Sequence, residues 1–153
     1  MSDKTERPRI RVAAIIVRGG AILLAQHRKD GKTYYVLPGG GVDFGETIEE
    51  ALVRELKEEA DLAIRIGRFV MMNDSIPPDK HRHIVNLYFT AEIFDGKIQV
   101  GTGDKRLVGM EFVPVSQLPG LTLYPDIRDE LVRGLTSDFS DPPHYLGNLW
   151  KDV

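Results

Sequence analysis

Three glutamates, Glu55, Glu58 and Glu59, crowd into the run Arg54-Glu55-Leu56-Lys57-Glu58-Glu59. On a helix, residues three and four apart are neighbours, so Glu55 meets both Glu58 and Glu59 on one arc. Each such like-charge pair is unfavourable by about 0.2–0.5 kcal/mol. A divalent cation reverses the sign of that interaction, and clustered carboxylate oxygens suit a hard ion such as Mg²⁺ or Mn²⁺. The plainer alternative is a solvated face, with Arg54 bridging to Glu50 or Glu58 and Lys57 answering Asp61.

The elements that must hold these acids are legible on both sides. Thr47 followed by Glu50 makes a capping box, and Ile48 to Ala60 contains neither Gly nor Pro. The spacing predicts a helix with Leu52, Val53, Leu56 and Ala60 as its core stripe, and with Glu50, Arg54, Lys57 and Asp61 facing water. Just before it runs Pro38-Gly39-Gly40-Gly41. Proline fixes the entering chain, and consecutive glycines let backbone approach a ligand closely. A glycine loop feeding acidic helical side chains can hold a metal–phosphate unit between them.

Gly40 to Leu62 resembles the signature of the Nudix hydrolase family, G-x5-E-x7-R-E-U-x-E-E-x-G-U, with U aliphatic. Gly40, Glu46, Arg54, Glu55, Leu56, Glu58, Glu59 and Leu62 match it in type and spacing. Asp61 departs, standing where the family has the glycine that ends the helix in a left-handed conformation; Asp tolerates that region better than most residues. The resemblance implies an α/β fold, a Nudix-type α/β/α sandwich with a mixed curved β-sheet between helices. It also implies that Glu55, Glu58 and Glu59 ligate metal with help from the Gly39 carbonyl. Arg54 would orient a carboxylate, and Glu46 would ligate a second ion directly or through water. The general base is either a glutamate of the helix or an acid on a distant segment, for which Asp104 and Glu111 are the candidates. Arg11, Tyr35, Gly40, Gly41 and Arg82 are the candidates for substrate contact.

The chain has 153 residues, 42% of them hydrophobic, enough for one domain with a proper core. Residues 1–8 are expected to form a flexible tail, 9–137 a single Nudix domain, and 138–153 a C-terminal extension that packs back or sits at a subunit interface, leaving a homodimer open. Cysteine is absent, which excludes disulfides and thiolate metal sites. The polar start and short apolar runs point to a cytoplasmic protein with no membrane partner. A net charge of −3 argues against a sequence-independent grip on polymeric nucleic acid. It also means that an anionic diphosphate needs metal to offset the acids.

Along the chain, Arg9–Val17 and Ala21–Gln26 read as strands joined in a hairpin at Gly19-Gly20, with His27–Lys32 as a polar loop. Tyr34–Leu37, Ala63–Asn73, Ile84–Phe94 and Leu107–Val113 read as further strands. Pro125 is expected in the first turn of a second helix, with Ile127, Leu131, Val132 and Leu135 on one face. His81, Arg82 and His83 form a small cationic group that is either a phosphate contact or a wet loop.

The implied reaction is metal-dependent hydrolysis of the diphosphate bridge of a nucleoside diphosphate derivative. An ADP-ribose-like substrate is favoured, because Pro77 and Pro78 fall where some ADP-ribose-cleaving family members carry a proline. Alternatives are a pyrophosphatase that sanitises nucleoside triphosphates and a catalytically silent nucleotide-binding regulatory domain. Loss of metal-binding glutamates would mark the silent domain, and all three remain here.

Overall fold

The computed structural model describes residues 6–150, so Met1–Thr5 of the expected tail and the last three residues of the expected extension lie outside the described residues. The strands are β1 (Arg9–Ile15), β2 (Val17–Arg18), β3 (Ala21–Lys29), β4 (Lys32–Val36), β5 (Gly39–Gly41), β6 (Ala63–Ser75), β7 (Ile84–Asp95), β8 (Leu107–Pro114) and β9 (His144–Asn148). Helix α1 spans Ile48–Ala60 and α2 spans Arg128–Ser137, with a 3-10 turn at Val115–Gly120 between β8 and α2.

A mixed five-stranded sheet runs β5-β1-β7-β6-β9, and β3 carries β2, β4 and β8 in a second sheet. The central strand β1 pairs parallel with β7 and antiparallel with β5. Its two faces explain its unbroken apolar sequence. Val12 and Ala14 pack with Leu52 and Leu56 of α1, while Ala13 and Ile15 pack with Leu118, Ile127 and Leu131 on the α2 side. A strand buried on both faces reads as a continuous run rather than an alternation. The mixed sheet between helices is therefore present.

The expected hairpin forms only at its tip. The chain changes sheets after Ile15, so Val17 and Arg18 pair back onto β3 and Ile16 O accepts from Leu23 N–H at 3.0 Å, while β1 itself lies between β5 and β7. The strand β3 runs on to Lys29, and only the Asp30-Gly31 tip of the predicted polar loop is a turn. The glycine loop is itself a short edge strand, with Gly39 opposite Ala13 and Gly41 opposite Arg11.

Helix α1 has the bounds that its caps dictate. The Thr47 hydroxyl accepts from Glu50 N–H and the Glu50 carboxylate accepts from Thr47 N–H. Asp61 ends the helix in the left-handed conformation at φ 56°. Its buried residues are Ala51, Leu52, Leu56 and Ala60, and Val53 is 43% exposed. At about 100° per residue, this inward arc contains Glu55 and Glu59 and leaves Val53 at its rim. The second helix starts later than its proline suggested. Residues 122–124 are tied to β4 by Tyr35 N–H on Thr122 O and Tyr124 N–H on Tyr35 O, so Pro125 precedes the helix. Val132 is exposed, while Ile127, Leu131 and Gly134 are buried.

The C-terminal segment adds β9 parallel to β6. Asn148 closes the pairing from both ends of its amide, accepting from Ile76 N–H at 2.9 Å and donating to Ile76 O at 3.1 Å. Among the described residues, no helix is long and apolar enough to cross a membrane.

Candidate active site

The end of β5 meets the inner arc of α1 at Gly39 and Gly40. Gly39 has φ 155°, and a Cβ there would lie 2.0 Å from Val12 O and 2.7 Å from Ala13 Cα. Only glycine lets this edge strand lie so close to β1. Its N–H donates to Glu59 Oε2 at 3.0 Å. A Cβ on Gly40 would lie 2.3 Å from the Glu55 carboxyl carbon, so the missing side chain is the space that Glu55 occupies.

Arg54 was expected to face water; it instead stands at the centre of the acids. Its Nε donates to Glu46 at 2.7 Å, its Nη1 to Glu55 at 3.0 Å, and its Nη2 to Gly41 O at 3.1 Å. Glu58, more exposed, lies 3.4 Å from Nη1. The repulsion expected among the acids is thus partly met by one guanidinium, whose proton is held more tightly for it. The surface pair Lys57–Asp61 forms as expected, at 2.8 Å.

The carboxyl groups divide by environment. Glu46 is held down to about 2, first by the Arg54 hydrogen bond and then by Asp43 N–H. Burial pushes Glu59 up to about 7, against the pull of the Arg11 charge and Gly39 N–H. Burial also raises Glu55, against the Arg54 hydrogen bond. Two partly buried carboxyl groups held above their ordinary value by burial are an environment that a hard cation relieves.

Glu55, Glu58 and Glu59 open into one cleft of about 490 Å³. Its rim carries four guanidinium groups, Arg9, Arg11, Arg82 and Arg106. Among the described residues, no three acidic or histidine side chains converge into a ready metal cage. Arg54 draws Glu46, Glu55 and Glu58 toward itself, and Gly39 draws Glu59. The oxygen-only donors on one wall of the cleft fit a Mg²⁺ or Mn²⁺ ion.

The other predicted site residues separate cleanly. Gly39, Gly40, Gly41, Arg11, Arg82 and Asp104 line the cleft. Glu46 acts on it through Arg54. Tyr35 does not face it: it packs on the α2-side core, and Tyr34 is the tyrosine in the cleft. The period-2 alternation of β4 was visible, but its phase was not. Glu111 is exposed on β8 opposite Leu24 and lies away from the cleft. Burial alone would raise Asp104, but Arg106, through its backbone N–H and its charge, and His27 bring it below its ordinary value. Of the cationic group, His81 turns to Asp79 and His83 to Asp74, so only Arg82 reaches the cleft. Pro77 and Pro78 line neither the cleft nor the chamber beside it.

Sequence reasoning missed His27, which was placed in a loop. It sits on β3 at a register shift between Gln26 and His27, is 8% exposed, and borders the cleft with its Nε2 unpartnered. The alternation Leu23, Ala25, His27 was the available signal. Arg106 was likewise hidden in a charge-rich loop.

The family profile described as NUDIX domain matches residues 7–135. The chain belongs to the Nudix hydrolase family. It is 33% identical over 115 residues to the ADP-ribose pyrophosphatase of Methanocaldococcus jannaschii, a match covering 74% of this chain and 66% of that protein. It is 34% identical over 109 residues to the NAD-capped RNA hydrolase NudC of Pectobacterium carotovorum, covering 71% of this chain but only 40% of that one. The chain thus spans less than two thirds of the length of these curated relatives. Among solved structures, it resembles a MutT NUDIX hydrolase from Burkholderia pseudomallei, with 31% identity, a TM-score of 0.72, and 82% of this chain and 98% of that chain covered. An ADP-ribose pyrophosphatase from Streptococcus suis gives 25% identity and a TM-score of 0.69, covering 91% and 99%.

Proposed function

We propose that this protein is a metal-dependent pyrophosphohydrolase that cleaves the diphosphate bridge of a nucleoside diphosphate derivative, with ADP-ribose the favoured substrate. The observation that carries the reading is that three carboxylates and four arginines line one cleft. A diphosphate needs cationic side chains along its oxygens and a dense negative site for the ion that accompanies it. The names of the archaeal and streptococcal relatives support the choice of ADP-ribose.

Glu55, Glu58 and Glu59 would hold the ion, with Glu46 and the Gly39 carbonyl as further candidates. A bound Mg²⁺ would supply charge neutralisation and Lewis acidity. Arg54 fixes the Glu55 carboxylate and is in turn fixed by Glu46. Gly39 N–H fixes Glu59. Arg11, itself held by its bond to Leu37 O at 2.7 Å, and Arg82 hold phosphate oxygens. Asp104, kept ionised at the cleft, is the candidate outside the helix for taking a proton from the attacking water. The balanced reaction is ADP-ribose plus water giving AMP plus ribose 5-phosphate. Residues 9–137 form the catalytic domain in this reading.

A panel assay resolved by product mass tests the function. ADP-ribose, a nucleoside triphosphate, NAD and an NAD-capped RNA oligonucleotide are each incubated with Mg²⁺. AMP and ribose 5-phosphate formed fastest from ADP-ribose support the reading. Pyrophosphate release from the triphosphate as the fastest reaction favours the sanitising alternative, and tight binding without turnover favours the silent domain. The capped RNA arm covers the activity that the Pectobacterium relative is named for.

A further inference from the structure

Beyond the carboxylates the cleft continues into a second chamber of about 160 Å³. Arg11, Tyr34, Arg82 and Arg106 border both, so a ligand can occupy the two together. The chemistry changes between them. The chamber's remaining walls include Tyr124, Pro125, Leu149 and Trp150, with Ser75 and Asn86 as a polar patch. Flat apolar walls with a few polar groups suit a planar heterocycle, and the charged end of a nucleotide already has its place among the arginines.

Two of these walls come from outside the matched family region, which stops at residue 135. Leu149 and Trp150 reach the chamber because β9 docks on β6, the Asn148 amide clasps Ile76, and Leu149 N–H donates to Asp74 O at 2.9 Å. The Tyr145 hydroxyl donates to Asp74 as well. The Arg82 guanidinium lies 5.1 Å over the Trp150 ring, linking the aromatic wall to a residue that also borders the phosphate cleft.

We propose that this chamber receives the nucleobase of the substrate and that Trp150, delivered by the C-terminal segment, is its stacking wall. Residues beyond the matched family region thereby contribute to holding the base. The inference rests on the proposed nucleotide substrate, and its test separates the two.

The chain has one tryptophan, so intrinsic fluorescence reads this wall directly. The full-length protein is titrated with AMP and, separately, with ribose 5-phosphate, which lacks a base. Saturable quenching by AMP and none by ribose 5-phosphate is expected. Trp150→Ala is expected to raise KM for ADP-ribose about five- to a hundredfold, the range that base–aromatic stacking supplies, with a smaller change in kcat. Trp150→Phe, which keeps a flat ring, should recover most of that loss. Equal quenching by the two ligands, or an unchanged KM in Trp150→Ala, overturns the inference even if ADP-ribose is hydrolysed. Quenching by AMP in a protein that hydrolyses nothing on the panel leaves the chamber standing and removes the proposed activity instead.

Discussion

Gly39 and Glu59 are joined by a 3.0 Å hydrogen bond in which the glycine N–H donates to Glu59 Oε2. This bond closes the glycine strand onto the acidic helix, and it survives if the carboxylate becomes an amide. Glu59→Gln therefore keeps the packing and removes only charge. Because burial already pushes this carboxyl up to about 7, the neutral amide does not destabilise its surroundings. Turnover is expected to fall at least about 10²-fold, as for loss of a major electrostatic contributor, with the melting temperature nearly unchanged. Parallel kinetics and thermal melts check this.

Two adjacent glycines should fail in different ways. In Gly39→Ala the new methyl meets backbone at 2.0 Å, which cannot move without displacing β1. That variant is expected to lose at least about 2 kcal/mol of stability. In Gly40→Ala the three atoms nearest the methyl all belong to the Glu55 carboxylate, the end of a flexible side chain. Its fold should persist while activity collapses, because Glu55 must swing out. Denaturant melts and initial rates of the pair distinguish a structural glycine from a functional one.

Arg54→Lys tests the guanidinium hub. A lysine cannot reach Glu46, Glu55 and Gly41 O together. Glu46 is depressed in the folded protein, so its contribution to stability is present above the unfolded-state carboxyl pKa and is lost as pH falls to about 2. In Arg54→Lys, NMR titration should show the Glu46 carboxyl moving up toward its ordinary value. That acid-side loss of stability should shrink, and kcat should fall.

His27 predicts an acid dependence of another kind. Burial lowers its pKa from 6.5, against the pull of Asp104, so the folded protein holds it neutral. As pH falls below about 6.5, the unfolded chain takes up this proton more readily than the folded chain, and the His27 contribution to stability declines. His27→Leu removes both the titration and the unpartnered Nε2. Glu59, raised to about 7, titrates in the same window in both proteins, so the readout is the difference: the variant's stability relative to the parent should rise as pH falls below about 6.5 and, at pH 8, be equal to or up to about 1 kcal/mol above that of the parent. Urea melts at a series of pH values measure this.

The sequence carried the local chemistry of the site well and its orientation poorly. The Thr47–Glu50 box, the left-handed Asp61 and the Lys57–Asp61 pair depend on neighbours in the chain, and each was legible. The burial of Glu55 and Glu59 was not, because it depends on how α1 is rotated against β1, a choice made by packing. The same limit exchanged Tyr34 for Tyr35: alternation along β4 shows two faces, and only the fold says which one meets the cleft. Strand β9 was invisible because its partner β6 lies some seventy residues away and its own sequence, His144 to Asn148, has little apolar signal. Trp150 could be noticed as the lone tryptophan, but its place beside Arg82 follows from that long-range pairing.

The central claim is that Glu55, Glu58 and Glu59 together hold a divalent ion. Mn²⁺ binding, followed by the electron paramagnetic resonance of the free ion, tests it most directly in the parent protein and in a variant with all three glutamates changed to glutamine. A saturable site in the parent, weakened at least about tenfold in a variant that still melts cooperatively, is the predicted result. No saturable site in the parent, or equal binding by the two proteins, would contradict it.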